Sequence, residues 1–161
     1  MTDFQSFTIR PAVAADIPLL VELRLAQMQS MERHNPAQLA DLAAASEAYF
    51  RAHLPDGSFR AWLAEVDGQV VACGGLVIRQ SPPTYHNLTG REGYIMGMYT
   101  RPEFRRRGLA TAMMHTILDH LRAESIQRAT LRASYEGRPL YEKLGFEQTS
   151  EMRLKLEERD G

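Results

Sequence analysis

The chain has little cysteine, no long apolar run and almost no net charge. Its one cysteine, Cys73, lies in the apolar run VVACGGLVI and excludes an intramolecular disulfide or a cysteine-based metal cluster. We expect it to be a small buried core residue. No apolar run approaches the roughly 20 residues of a membrane span, and the N-terminal residues MTDFQSFTIRPA lack the apolar core of a signal peptide. These features predict a cytoplasmic protein without a metal. The formal net charge of -1 in turn gives no reason to expect a membrane or nucleic-acid partner.

Two common nucleotide-binding motifs are also missing. The chain contains neither G-x-G-x-x-G nor G-x-x-x-x-G-K-[ST], so NAD and ATP sites of those types have no support. It shows no internal repeat or low-complexity segment, and 44% hydrophobic with 24% charged residues suits an ordinary globular core. We therefore expect one domain that spans residues 1–161.

Apolar residues at helical spacing predict four helices. The first follows Asp16 as its N-cap, with Arg24 interrupting the apolar stripe, and the second begins at Asn35 and ends before the sequence PDG. The third, from Gly108, has the clearest apolar stripe and a polar opposite face. The fourth is short, lies in EGRPLYEKLGF, and is closed by Gly145 as a left-handed C-cap.

Runs of β-forming residues predict six strands. Two of them flank Asp67-Gly68, a strong signal for a β-hairpin because both turn residues must adopt positive φ. In the strand GYIMGMYT, Gly97 indicates a bulge or a close backbone approach. EMRLKL, residues 151–156, alternates apolar and charged residues like a final strand. The predicted order is β-α-α-β-β-β-α-β-α-β.

The stretch RPEFRRRGLA joins a predicted strand to the third helix and concentrates positive charge. Between Arg101 and Arg107 there are four arginines and one glutamate, a local charge of +3. A helix N-terminus exposes unpaired N–H groups and a partial positive charge, so such a junction suits an anion. Gly108 has no Cβ and lets a bulky anion approach the backbone. The alternative is a solvated run of arginines beside a glycine that only turns the chain.

The same residues resemble a known family. Arg105 to Ala110, RRRGLA, match the [QR]-x-x-G-x-[GA] signature by which the GNAT superfamily of N-acetyltransferases binds the pyrophosphate of acetyl-coenzyme A. MYTRPEFRRRGLA resembles that family's strand-to-helix segment, and GRPLYEKLGF resembles its later helix. The resemblance covers the whole chain and is most specific over residues 94 to 146. It implies a GNAT-like α/β (α+β) fold, with a mixed, mostly antiparallel central sheet flanked by helices.

The resemblance also implies a binding site for acetyl-CoA as cosubstrate. The backbone of the bulged strand would hold the pantetheine arm and the thioester, and the turn would hold the pyrophosphate through backbone amides, a threonine hydroxyl and guanidinium groups. Ser134 takes the position at which family members often have an asparagine that contacts the coenzyme. The implied coenzyme-binding residues are Met98, Tyr99, Thr100, Arg105, Arg106, Arg107, Gly108, Leu109, Ala110, Thr111 and Ser134.

Tyr141 matches the tyrosine that many members of the family use as general acid toward the leaving thiolate. A phenol with a pKa near 10 can protonate a thiolate of similar basicity; the alternative is a tyrosine that only packs its helix against the sheet. Members often place a glutamate on the bulged strand as general base, but Tyr94, Met96 and Met98 occupy those positions here. The base is therefore open: ordered water, Tyr94 and Glu92 are candidates, or the small fraction of free amine present at neutral pH reacts without one.

The acceptor amine and the state of assembly are not evident from the residues. The resemblance implies that the first two helices and the loop before GYIMGMYT line the acceptor site. Arg24 in that region would bind a carboxylate, or else it lies at the edge of the apolar stripe with its charge in solvent. A homodimer is possible through exposed strand edges. Two other functions stay open: a non-catalytic acyl-CoA sensor or scaffold, and a toxin that acetylates aminoacyl-tRNA, against which the near-neutral charge argues.

Overall fold

A five-stranded sheet forms the centre of the molecule. The computed structural model describes residues 6–157, and its strands are β1 (Thr8–Pro11), β2 (Phe59–Val66), β3 (Gln69–Gln80), β4 (Arg91–Thr100) and β5 (Ala129–Leu131). They lie side by side in chain order. The first four pair antiparallel and only β4 with β5 is parallel, so the predicted mixed, mostly antiparallel sheet is confirmed.

Four α-helices flank this sheet: α1 (Ile17–Met31), α2 (Pro36–His53), α3 (Leu109–Ala123) and α4 (Arg138–Lys143). The predicted start of α2 is confirmed by a capping box, in which the side chains of Asn35 and Gln38 each bond the other residue's backbone N–H. Within residues 6–157, none of the helices is long and apolar enough to cross a bilayer.

Two hydrophobic clusters, one on each face of the sheet, hold the helices in place. On one face the stripe predicted for α3 is buried: Leu109, Met113, Ile117 and Leu121 are at most 2% exposed. On the other face, Leu20 and Leu23 of α1 pack with residues of α2, β2 and β3. This packing holds α1 and α2 on the face of the sheet opposite to α3 and α4. It leaves a cleft between α1, α2 and the strands.

The turns follow the local chemistry of the sequence. Asp67 and Gly68 both have positive φ and join β2 to β3 as predicted. Gly145 has φ of 99° beyond α4, and the N–H of Phe146 bonds the carbonyl of Tyr141 at 3.0 Å, a Schellman motif that ends the helix. Each of these turns needs a residue that tolerates a left-handed backbone, which the sequence supplies at that position.

The predicted final strand over EMRLKL is wrong. Residues 147–157 form no helix or strand, and Met152, Leu154 and Leu156 are exposed. A strand requires a backbone partner, and no described residue pairs with this segment. Alternating apolar residues favour a strand only when an open sheet edge lies within reach. β5, the edge strand on that side, is three residues long.

His120 of α3, which contacts Arg60 of β2, is expected to make the stability of the fold depend on pH. The Arg60 guanidinium donates to Nε2 of His120 at 2.9 Å, and the Glu124 carboxylate lies 2.7 Å from Arg60. Burial first, and then the Arg60 charge, lower the pKa of His120, while Glu124 partly opposes the shift. Because Nε2 accepts this bond, the folded protein favours the neutral imidazole.

This arrangement predicts a loss of stability on mild acidification. The unfolded chain protonates His120 near pH 6.5, but the folded chain protonates it only at lower pH. The contribution of the neutral His120 to the free energy of unfolding is therefore complete above about pH 6.5, and it is lost as the pH falls through the depressed folded-state pKa. His120→Gln keeps an acceptor for Arg60 without a titrating group. We expect its melting temperature to fall less than that of the wild type between pH 7.5 and 5.5; equal falls would contradict the assignment.

Candidate active site

β4 carries the distortion that the sequence predicted at Gly97. Cys73 of β3 pairs with Tyr99, and Gly75 pairs with Met96, so two residues of β4 stand opposite one residue of β3. Gly97 has φ of 66°, a left-handed conformation that a side chain disfavours. The Cys73 thiol donates to the Gly97 carbonyl at 3.3 Å and fixes the bulge from the neighbouring strand.

Beyond the bulge, one edge of β4 is open. The N–H of Arg101 donates to the Val71 carbonyl at 2.8 Å, toward β3. Successive N–H groups of a strand point to opposite edges, so those of Thr100 and Met98 point away from β3. β5 pairs with β4 only as far as Ile95. Within residues 6–157, no strand therefore covers the edge on which Met98 and Thr100 present their amides.

This open edge leads directly into the arginine-rich turn. Arg106 and Gly108 have φ of 62° and 80°, both left-handed. The first bond of α3 runs from the N–H of Ala112 to the carbonyl of Gly108 at 3.0 Å, so the three preceding N–H groups have no acceptor in the helix. A Cβ added to Gly108 would meet no heavy atom within 4 Å. The turn is thus open, with donors of α3 aimed outward.

The three arginines of the turn have different surroundings. Arg105 donates through Nε to the Thr100 carbonyl at 3.0 Å and lies over the Tyr99 ring, which ties the turn to the end of β4. Arg107 lies over the Phe104 ring. Arg106 is exposed, and no described residue hydrogen-bonds it. The guanidinium best able to reorient toward an anion is therefore that of Arg106.

Tyr141 lies on α4 and packs against the same hydrophobic cluster as Met98 and Leu109. Its ring makes an edge contact with Phe146, and burial raises the pKa of its phenol above the ordinary value. None of the residues in 6–157 hydrogen-bonds its hydroxyl. Ser134, in the preceding loop, accepts a bond from the N–H of Gly137 at 3.0 Å. That bond leaves the Ser134 hydroxyl proton available as a donor.

A cavity of about 390 Å³ opens on the opposite face of the sheet, between α1, α2 and the strands. It reaches Met96 and Gly97 at the bulge, so it meets the open edge of β4. Its wall includes an aromatic group made of Tyr49, Phe50 and Phe59, whose ring centroids lie 5.2 to 6.0 Å apart. A cavity of this size with an apolar wall suits a small organic molecule.

The polar groups of the cavity come from α1 and from the sheet. Arg24 and Gln27 project from α1, and Arg79 lies over the ring of Tyr94, 3.9 Å from its centroid. The charged residues of the lining are the two arginines, with no aspartate or glutamate among the described residues that line it. The described charged side chains of the lining are therefore positive and stand in a mostly apolar wall.

The candidate residues for the general base and for the acceptor site differ in whether they line this cavity. Tyr94 lines the cavity, whereas Glu92 does not and accepts a bond from the Thr130 hydroxyl at 2.9 Å. In the segments expected to line the acceptor site, the polar residues that line the cavity are Arg24, Gln27, Ser46 and Tyr49, whereas Tyr85 is exposed in its loop. In the part of the chain that is described, no three His, Cys, Asp or Glu residues gather as a metal site would require.

Sequence reasoning missed Gln27. It donates through Nε2 to the Met98 carbonyl at 3.2 Å, while its Oε1 is buried and accepts no hydrogen bond within residues 6–157. A buried acceptor without a partner costs free energy, which a ligand donor would recover. No local pattern marks a glutamine on an amphipathic helix as a site residue. Only the packing of α1 against the bulge reveals it.

The comparisons with known proteins agree with this geometry. A model of the acetyltransferase (GNAT) family matches residues 21–146. The chain is 24% identical over 132 residues to an uncharacterized N-acetyltransferase of Escherichia coli, YafP, covering 82% of this chain and 74% of that protein. The family match thus includes the bulge, the arginine-rich turn and Tyr141.

Solved structures show the same relationship. A predicted acetyltransferase from Clostridium acetobutylicum, determined with acetyl-CoA, is 35% identical, with a TM-score of 0.86 over 94% of this chain and 96% of that one. A GCN5-related N-acetyltransferase from Ralstonia eutropha JMP134 is 30% identical, with a TM-score of 0.86 over 94% and 99% of the two chains. With the bulged strand and the open turn already in place, these matches establish that the chain belongs to the GNAT family of acetyltransferases.

Proposed function

We propose that this protein is a single-domain, acetyl-CoA-dependent N-acetyltransferase that acetylates a primary amine by direct attack of the amine on the thioester. The observation that carries the proposal is the continuity of the open edge of β4 with the turn at the start of α3. Together they offer two groups of backbone donors, Met98 and Thr100 on the strand edge and Leu109 to Thr111 at the start of α3, that can bind the two ends of an extended coenzyme.

The residues present fit acetyl-CoA. Amides of Met98 and Thr100 face the gap beside β4 and would bind the pantetheine arm. The turn, with open space at Gly108 and unpaired N–H groups at Leu109, Ala110 and Thr111, would bind the pyrophosphate. When bound, acetyl-CoA supplies an activated acyl carbon whose oxygen becomes more negative on attack, and an amide aimed at that oxygen lowers the barrier.

Tyr141 is proposed to donate a proton at its Oη to the departing sulfur. In this step a C–N bond forms and the C–S bond breaks; the amine loses one proton to solvent or to the base, Tyr141 gives its proton to the thiolate, and solvent then reprotonates Tyr141. Burial raises the pKa of Tyr141, so the phenol stays protonated at neutral pH and is available as the acid. Its Oη accepts or donates no bond within the described chain that would compete.

Cys73 supports direct attack rather than a covalent enzyme intermediate. It is the only thiol of the chain, and it lines the cavity. Burial raises its pKa to about 12, and its proton is donated to the Gly97 carbonyl. Since the thiolate is the nucleophilic form, Cys73 is a poor acyl acceptor at neutral pH. Its place at the bulge is structural.

A thiol-release assay tests the proposal. Purified protein with acetyl-CoA is given a panel of amino acids, polyamines, aminoglycosides and peptides, and thiol is measured with product mass. We expect at least one amine to gain 42 mass units, about the mass of an acetyl group replacing a proton, with stoichiometric thiol. Cys73→Ala removes the hydrogen bond to Gly97 but is expected to retain measurable turnover, because no acyl group passes through the thiol. Loss of all turnover in Cys73→Ala with normal coenzyme binding would contradict direct attack.

Binding and turnover separate this proposal from a sensor or scaffold. Coenzyme A should raise the melting temperature of the protein, because a ligand that binds only the folded state stabilises it. A thermal shift without turnover of any amine would favour a non-catalytic acyl-CoA-binding protein. No shift and no turnover would overturn the proposed site altogether.

A further inference from the structure

The cavity beside the bulge contains two groups on one face of α1 that lack partners in the protein. Arg24 forms no hydrogen bond or ion pair with a described residue, and Oε1 of Gln27 is buried without a donor. The two residues are three positions apart, so they lie on the same helix face with an axial separation of about 4.5 Å. They present a cation and a hydrogen-bond acceptor side by side.

Gln27 contacts the bulge of β4 through its side chain. Its Nε2 is bonded to the Met98 carbonyl, beside the bulge where the proposed function places the thioester. Its Oε1 is buried and lacks a donor, and one N–H of an amine bound at the bulge would supply one. A neutral primary amine has two N–H groups and a lone pair, so this bond leaves the lone pair free to attack.

Arg24 lies about one helical turn from Gln27 on α1. A guanidinium without a carboxylate partner in the protein, at the wall of a mainly apolar cavity, favours an anionic group on the ligand. The Arg24 charge is also felt by the neighbouring phenol of Tyr49, whose pKa is raised by burial and by Asp56 and partly lowered by Arg24. A ligand that binds both residues must have its anionic group, such as a carboxylate, close to its amine, because Arg24 and Gln27 are close to each other.

The rest of the cavity wall determines which kind of side chain the acceptor has. The rings of Tyr49, Phe50 and Phe59, from α2 and β2, give the cavity wall an apolar part. Because the described lining has two arginines and no carboxylate, a polycationic acceptor such as a polyamine or an aminoglycoside would be repelled rather than bound. An apolar or aromatic group on the acceptor would bury its surface against the rings.

We propose that the acceptor is an α-amino acid with a large apolar or aromatic side chain, held through its carboxylate by Arg24 and through its amine by Gln27. This inference rests on the proposed function, since it names the substrate class of the same site. In it, Arg24 is a specificity-determining residue and Gln27 orients the nitrogen.

The test uses matched acceptors in the thiol-release assay. L-phenylalanine, L-leucine and L-methionine are each compared with their carboxamides, and 2-phenylethylamine and spermidine serve as amines without a carboxylate. We expect the best amino acid to exceed its carboxamide about 10- to 100-fold in kcat/KM, the range for a hydrogen bond between charged groups. Spermidine is expected to be the poorest acceptor.

Variants then assign the carboxylate and the amine to separate residues. Arg24→Gln should raise KM for the amino acid about 10- to 100-fold and leave KM for its carboxamide unchanged. Gln27→Met should raise KM for both about 2- to 10-fold, because both contain the amine. Arg51→Gln removes the same charge from an exposed ion pair on α2, outside the cavity, and should change neither.

Two results would overturn the inference in distinguishable ways. If carboxamides or spermidine are the better acceptors, or if Arg24→Gln affects acid and carboxamide equally, the substrate class is wrong while the acetyltransferase proposal stands. If no amine releases thiol although coenzyme A still raises the melting temperature, the proposed catalysis fails and this inference fails with it.

Discussion

Tyr141→Phe is expected to lower kcat by about 10²- to 10⁴-fold, the usual contribution of a positioned general acid. Phenylalanine keeps the ring that contacts Phe146 and the hydrophobic cluster, so the fold and the affinity for coenzyme A should be unchanged. Steady-state kinetics and coenzyme titration of the two proteins measure this difference. The loss should fall on kcat because proton donation is needed only after the acceptor and coenzyme are bound.

A matched control and a pH profile make this prediction specific. Tyr135 is an exposed tyrosine in the loop before α4, and Tyr135→Phe should leave kcat unchanged. Because burial raises the pKa of Tyr141, its deprotonation should reduce the wild-type rate only above about pH 10. The variant should lose that alkaline limb. If Tyr141→Phe retains kcat within about twofold, the tyrosine is a packing residue.

Gly108→Val is expected to weaken coenzyme A binding by about 100-fold or more, and more than Arg106→Ala does. Valine at φ of 80° would cost roughly 1–2 kcal/mol of backbone strain. The turn would relax by moving the N–H groups that precede the first bond of α3, and each lost bond to a charged phosphate is worth about 1.5–3 kcal/mol. Arg106 is exposed, so its removal should cost less than about tenfold. Calorimetric titration with coenzyme A gives both affinities.

Gly68 provides the control for backbone strain. It has φ of 77° at the tip of the β2–β3 hairpin, and an added Cβ there also meets nothing within 4 Å. Gly68→Val should therefore lower the melting temperature about as much as Gly108→Val but leave the affinity for coenzyme A intact. Weaker binding by Arg106→Ala than by Gly108→Val would show that the guanidinium, rather than the backbone, holds the anion.

Features set by neighbours in the chain were predictable. The helical spacing from Leu109 to Leu121 identified α3 and its buried face, and Asp67-Gly68 identified a hairpin, because these patterns determine backbone geometry within a few residues. Gly97 indicated a bulge for the same reason. The sequence also predicts an anion site at the arginine-rich turn, because strand, turn and helix are consecutive in sequence; this stays a prediction, which the coenzyme titration tests.

Features that need a distant partner were not predictable. The apolar alternation of residues 151–156 predicts a strand by itself, but no described residue offers it a sheet edge. For Gln27 the sequence fails in the other direction: no local pattern marks it as a site residue, and yet it bonds the Met98 carbonyl, 71 residues away. Both outcomes depend on which backbone and side-chain groups remain unpaired after the helices pack on the sheet.

The sequence by itself determined the order of helices and strands up to α4, the left-handed turns and the family, since all of these rest on contiguous residues whose conformational preferences are local. Only the tertiary structure decided what surrounds the cavity that we propose for the acceptor. It brought α1, α2 and three strands around one cavity, left Arg24 and Gln27 without partners there, and placed no described carboxylate among them. Those relations arise from long-range packing, which no spacing along the chain encodes.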